Sequence, residues 1–132
     1  MNRRTLREQI FKLLFRIEFN SAEEMKQQCD FFFEDSDNPT NEEDMKYIQD
    51  KYDQVISHLA QIDSLINEKA KGWTTERMGK VDLTVIRLAV YEILFDDDVP
   101  AGVAINEAVE LAKKFGQDES YGFVNGVLAK FA

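Results

Sequence analysis

The chain has 132 residues, 44% of them hydrophobic, and a net charge of −9. A chain of this length folds as one domain or two small bundles and needs no metal or disulfide staple. With one cysteine and one histidine it has neither an internal disulfide nor a Cys/His zinc site, and no apolar run reaches the length of a membrane span or a signal peptide. A cytoplasmic setting is the expectation, with Cys29 read as a small packed hydrophobe rather than a reactive thiol.

The charge is unevenly distributed. Residues 1–20 carry five basic against two acidic groups, residues 21–70 four against thirteen, and residues 71–132 seven against ten. A basic head on an acidic body can contact RNA locally, and such a contact is weak and salt-sensitive.

Helical periodicity dominates along the chain. Leu6, Ile10, Leu13, Leu14 and Ile17 lie on one helix face, and Phe11, Phe15 and Phe19 form a second stripe, so the first helix reads as largely enclosed. A second helix is expected from Ser21 to about Asp35, with Ser21 and Glu24 forming a capping box. Residues 35–41 read as a loop.

A long helix follows, in which Met45, Ile48, Tyr52, Val55, Leu59, Ile62 and Ile66 repeat at alternating spacings of three and four. This heptad seam would be about 32 Å long. It fits a helix within a bundle, and it also permits an intermolecular coiled coil and hence a homodimer. Gly72 ends this helix, and a short helical turn capped by Thr74 closes at Gly79. Asp82 is expected to cap a central buried helix over Leu83 to Phe95. Helices over about 101–115 and 118–131 complete six main helices plus the short turn, with Val124, Val127, Leu128 and Phe131 facing inward. Gly122 and Gly126 read as small residues allowing close helix packing. The chain divides near Gly72 into bundles of about 1–72 and 73–132.

Catalytic chemistry finds little support. His58 has no neighbouring nucleophile, and a structural histidine is the better reading. Asp96-Asp97-Asp98 lacks the alternating ligands, glycine and terminal glutamate of a calcium loop, and reads as a helix-terminus loop with Asp98 favouring the next helix's start. No phosphate loop is present, and neither an enzyme, a metal nor a cofactor is expected.

Recognition remains. Arg3, Arg4 and Arg7 sit on the first turns of helix one, where guanidinium groups suit phosphates and unpaired bases. A second cluster surrounds the last interhelical junction: Lys113, Lys114, Phe115, Gly116, Ser120, Tyr121 and Phe123 interleave cations with rings.

Residues 73–94, the string AINEAVELAKKFG at 104–116, and FVNGVL at 123–128 resemble the NusB family of bacterial transcription antitermination proteins. The resemblance covers essentially the whole chain, although residues 21–70 match only in helical character. It implies an all-α fold of two packed three-helix bundles forming a single NusB-like domain over 1–132. It also implies binding of boxA-type single-stranded RNA with NusE, a small-subunit ribosomal protein, in the RNA polymerase antitermination complex on ribosomal RNA operons.

By the same resemblance, Arg3, Arg4, Arg7, Lys113, Phe115, Glu119, Ser120 and Phe123 fall in RNA-contacting regions. Phe15, Glu76 and Asp82 fall where relatives meet NusE. Two departures stand out: the basic head is sparse, and Phe15 replaces a common tyrosine. The alternative reading is a helical protein–protein adaptor without intrinsic RNA binding.

Overall fold

The computed structural model describes residues 1–35 and 41–132, which form seven α-helices and two short 3-10 turns. Among the described residues there is no strand, so the protein is all-α. It comprises two compact units, Met1–Gln54 and Val55–Ala132.

The first unit opens with α1, Arg3–Phe15. Asn2 caps it by accepting the Thr5 N–H at 2.8 Å. Its inward face is Leu6, Ile10, Phe11, Leu13 and Leu14, all buried. The second stripe is graded rather than enclosed. Phe11 stacks on Phe15, which meets Phe19 edge-to-face at 5.2 Å, and Phe19 itself is 62% exposed. The reason is local: α1 tightens into a 3-10 turn over Arg16–Glu18, which carries Phe19 past the end of the buried face.

The second helix, α2, spans Glu24–Glu34. The capping box is formed in both directions: the Glu24 N–H donates to Ser21 Oγ at 3.1 Å, and the Ser21 N–H donates to Glu24 Oε1 at 2.8 Å. The bond from the Ser21 N–H, and after it the Ser21 side chain, hold the Glu24 carboxyl below its ordinary value. Met25, Cys29 and Phe32 make the buried stripe. Of the loop read over 35–41, residues 36–40 lie outside the described residues.

The heptad pattern continues through α3, Glu42–Ser57, and α4, Leu59–Lys69. Its members Ile48, Tyr52, Val55, Ile62 and Ile66 are buried within the chain, as in a bundle helix. The continuous 32 Å helix expected from the pattern is interrupted at His58 (φ −106°, ψ 4°), whose N–H reaches back only three residues, to the Val55 carbonyl. The His58 ring stacks on Phe95 at 4.1 Å, and Ser57 Oγ lies 3.2 Å from its Nδ1. A ring lodged against another helix, beside a locally bonding serine, is what turns the backbone here.

The second unit therefore begins in the last turn of α3 and takes α4 with it, so its start lies well before Gly72. Asp63 makes two 2.8 Å bonds to Arg87, Asn67 Oδ1 accepts the Thr75 N–H, and Lys69 lies over Phe131. Gly72, at φ +84°, turns the chain into the 74–78 segment. There Thr74 O accepts both the Arg77 and Met78 N–H groups, making one helical turn.

Helix α5, Lys80–Phe95, starts two residues before Asp82 because Gly79 takes the N-cap position; Asp82 sits instead in the first turn. Leu83, Val85, Ile86, Leu88, Ala89 and Val90 are buried, and α5 packs on α4, on α6 (Ala101–Phe115) and on α7 (Ser120–Leu128), which makes it the centre of this unit. In the α5–α6 loop Asp96 is the organiser: its carboxylate accepts the Asp98 N–H and its carbonyl the Val99 N–H. Pro100 opens α6 and Gly116 closes it. After α7 a 3-10 turn, Ala129–Phe131, seals the end with Phe131.

The Cys29 and Tyr52 side chains, both buried, carry a pH signature. Burial pushes the thiol above its ordinary 9.0 and the Tyr52 hydroxyl above its ordinary 10.0, with Cys29 and Asp53 adding to the latter. Their neutral forms support the fold fully below those ordinary values. As pH rises the unfolded chain releases protons that the folded one retains, so stability falls. Denaturant midpoints should therefore drop from pH 8 to pH 10.5, and Tyr52→Phe should flatten the upper part of that drop.

Candidate nucleic-acid interface

The junction of α6 and α7 is fixed by a close approach. A Cβ on Gly116 would lie 2.5 Å from Ser120 Oγ and 2.7 Å from the Ala112 carbonyl oxygen, so only glycine fits. That contact lets Ser120 Oγ accept the Gln117 N–H at 2.9 Å while the Ser120 N–H donates to Gln117 O. The last turn of α6 carries Lys113 and Lys114, cations at the negative end of a helix dipole. Lys113 Nζ lies 5.4 Å from the centre of the Tyr121 ring and 3.8 Å from Glu110, and Lys114 Nζ lies 5.5 Å from the Phe115 ring centre. Tyr121 is exposed, while Phe115 and Phe123 are half-buried, so neither of the latter is sealed in the core.

Beside this junction lies a cleft of about 280 Å³. Its lining combines the apolar Trp73, Met78 and Phe123 with the polar Asp82, Gln117, Glu119 and Ser120, and with Gly79. Trp73 meets Phe123 edge-to-face at 5.3 Å, yet the indole remains 46% exposed. The Arg77 guanidinium lies 5.6 Å from the indole centre, and its Nη1 donates to Gly72 O at 3.4 Å. Two helices start here, α5 at Gly79 and α7 at Glu119, and neither has a side-chain cap. Asp82, in the first turn of α5, and Glu119, at the N-cap of α7, both line the cleft, where a carboxylate suits the positive end of a helix. Cations over rings, next to an open aromatic cleft, are what flat bases and phosphates bind.

The expected residues divide between the two units. In the second unit Asp82, Glu119, Ser120 and Phe123 share the cleft, Lys113 and Phe115 lie at the adjoining junction, and Glu76 is exposed on the 74–78 turn. In the first, Arg3 and Arg4 are exposed at the start of α1 and Phe15 is half-buried in the aromatic ladder. Arg7 departs from the expectation: only 9% exposed, it lies on the Ile10 and Leu14 face, where its long stem is enclosed. Trp73, Arg77, Met78 and Gln117 are not among the site residues expected from the sequence. The one available signal was a lone tryptophan followed four residues later by an arginine. Gly122 and Gly126 pack against nothing, since a Cβ at either would meet no atom within 4 Å. They are therefore not close-packing contacts.

Among the described residues no group of three or more histidine, cysteine, aspartate or glutamate side chains is placed to hold a metal ion. No helix there is long and apolar enough to cross a membrane.

Residues 4–132 match the NusB family model. A transcription antitermination protein NusB of Agathobacter rectalis is 57% identical over 132 residues, covering the whole of both chains. Among solved structures, T. maritima NusB is similar at a TM-score of 0.88 and 35% identity, covering 100% of this chain and 91% of that one. A structure of the antitermination factors NusB and NusE in complex with double-stranded RNA is similar at a TM-score of 0.80 and 28% identity, covering 98% of this chain and 94% of the other. Matched over nearly its full length, this chain belongs to the NusB family.

Proposed function

We propose that this chain is a cytoplasmic, non-enzymatic transcription antitermination factor. In this reading it binds boxA-type single-stranded RNA together with NusE and joins the RNA polymerase complex that transcribes ribosomal RNA operons. The observation that carries the reading is the set of cations held over rings at the α6–α7 junction, beside the open Trp73–Phe123 cleft. A similar protein has been solved with NusE and RNA bound. Arg3 and Arg4 add exposed charge at the head of α1; Lys113, Phe115, Glu119, Ser120 and Phe123 form the second RNA-contacting region. Phe15, Glu76 and Asp82 face NusE.

The net charge of −9 explains why a partner is needed. Polyanionic RNA is repelled by the acidic body, and a basic ribosomal protein supplies phosphate-binding charge while covering part of that body.

The test is the mobility of boxA RNA with this chain, with NusE, and with both, over a range of salt. Both proteins together should shift boxA RNA at concentrations where neither does alone. Changing Arg3 and Arg4 to alanine should reduce the slope of log affinity against log salt by about 1.4, at about 0.7 for each single-strand phosphate contact. If scrambled RNA binds as well as boxA RNA with NusE present, the chain is a protein adaptor instead.

A further inference from the structure

The cleft beside Trp73 carries the opposite charge from the lysine-bearing junction next to it. Two carboxylates, those of Asp82 and Glu119, are in its lining, and no lysine, arginine or histidine is. Among the described residues neither carboxylate makes an ion pair or a side-chain hydrogen bond. The rest of the lining is two rings and a thioether, Trp73, Phe123 and Met78, with the uncharged Gln117, Ser120 and Gly79. Trp73 and Phe123 meet edge-to-face and the indole is half-exposed, so an entering group can reach a ring. That indole already draws one cation of the protein itself, the Arg77 guanidinium, which is not among the lining residues.

These groups select a ligand by class. An anion would meet two like charges and no opposite one in the lining. A hard metal ion needs several oxygens around one point and gains nothing from rings or sulfur. Among the described residues no group of three or more histidine, cysteine, aspartate or glutamate side chains is placed to hold one. A neutral apolar molecule would desolvate both carboxylates without pairing them. An organic cation uses every part: ammonium groups suit the carboxylates and the indole, and methylenes suit the rings and the thioether. Two charges serve better than one, because the starts of α5 and α7, each equivalent to about half a positive charge, offset the two carboxylates only in part. The volume of about 280 Å³ lies just under the roughly 300–1,000 Å³ of drug-sized sites, so the occupant is small.

We propose that this cleft binds a small aliphatic diamine, its ammonium groups on Asp82 and Glu119 and its methylene chain against Trp73 and Phe123. The proposal does not rest on the RNA reading above, and either can fail without the other.

Trp73 is the only tryptophan, so the fluorescence of the full chain reports on the cleft directly. Calorimetry on the same solutions measures binding independently of the ring. Putrescine should give a saturable response in both at low salt. Butylamine, which has one charge, should bind about threefold to fivefold more weakly, the upper range for one exposed charge pair. Butanediol, and magnesium ion at matched ionic strength, should leave Trp73 unchanged. Asp82→Asn and Glu119→Gln should each weaken putrescine by a similar factor. Arg77→Ala removes a like charge and should tighten putrescine by up to about twofold, the opposite of its effect on an anionic ligand. Should either carboxylate variant lose helicity, the butylamine ratio and the sign at Arg77 still decide.

Absence of saturable putrescine binding by both readouts would overturn the proposal. So would magnesium or butylamine binding as tightly as putrescine, putrescine binding that survives both carboxylate changes, or weaker binding in Arg77→Ala. Tighter binding of N-acetylarginine amide than of putrescine would assign the cleft to a basic side chain of a partner protein and overturn it as well.

Discussion

Phe32→Ala should lower the free energy of unfolding by about 3–5 kcal/mol, the range for deleting a fully buried aromatic side chain. Phe32 is 1% exposed in the last turn of α2. Its ring meets Phe33 edge-to-face at 5.3 Å and carries the Arg16 guanidinium 5.2 Å from its centre. Arg16 also donates to the Gln28 carbonyl and to Gln28 Oε1, so one ring ties α2 to the 3-10 turn after α1. Removing it leaves a cavity and takes away the surface on which a half-buried cation rests. The neighbouring Phe31 is 47% exposed, and Phe31→Ala should move stability by no more than about 1 kcal/mol. Paired denaturant titrations of the two variants measure this, and a similar loss for both would contradict the assignment of the inward face.

Gly116→Ala should destabilise by about 1–3 kcal/mol, as expected when one methyl is forced into filled space. The melting temperature should fall by roughly 4–10 °C for a chain of this size. The added carbon would press on the Ser120 side chain and on the Ala112 carbonyl oxygen, which is helix backbone and cannot turn aside. Relief requires the last turn of α6 to open at Gly116 and the Ser120 side chain to move, which would also loosen the Gln117–Ser120 bond. Gly122→Ala is the counterpart in the same helix pair. With nothing within 4 Å of the new carbon, alanine should stabilise α7 by about 0.5–1 kcal/mol through its better helix propensity. Opposite signs at Gly116 and Gly122 are the expected result of thermal melts.

These glycines show where sequence reasoning works and where it stops. The bounds of α6 were legible because Pro100 and Gly116 punctuate both ends, and the Ser21–Glu24 box and the inward stripe of α7 were legible because each is set by neighbours within one or two turns. The break at His58 was not, since no proline or glycine marks it and its partner Phe95 lies far along the chain. The glycine pair 122 and 126 has the spacing of a packed helix face, yet spacing does not reveal whether a neighbour stands opposite. Arg7 was placed with the exposed arginines because charge outweighed its position on the Ile10–Leu14 face.

The candidate site was half legible for the same reason. Glu119, Ser120 and Phe123 are close in sequence and were read as a group. Trp73 reaches Phe123 across fifty residues, a distance no local pattern spans, so the cleft that unites them with Asp82 was visible only in three dimensions.

Helix α4 has a practical bearing on how this protein can be dissected. A fragment stopped at Gly72 would carry Asp63, Asn67 and Lys69 away from Arg87, Thr75 and Phe131, and would strand His58 without Phe95. The complementary piece would display the bare flank of α5 to solvent and invite aggregation. Anyone wishing to express the second unit alone should begin upstream of Val55 and include the last turns of α3, so that the recombinant piece keeps its own scaffold.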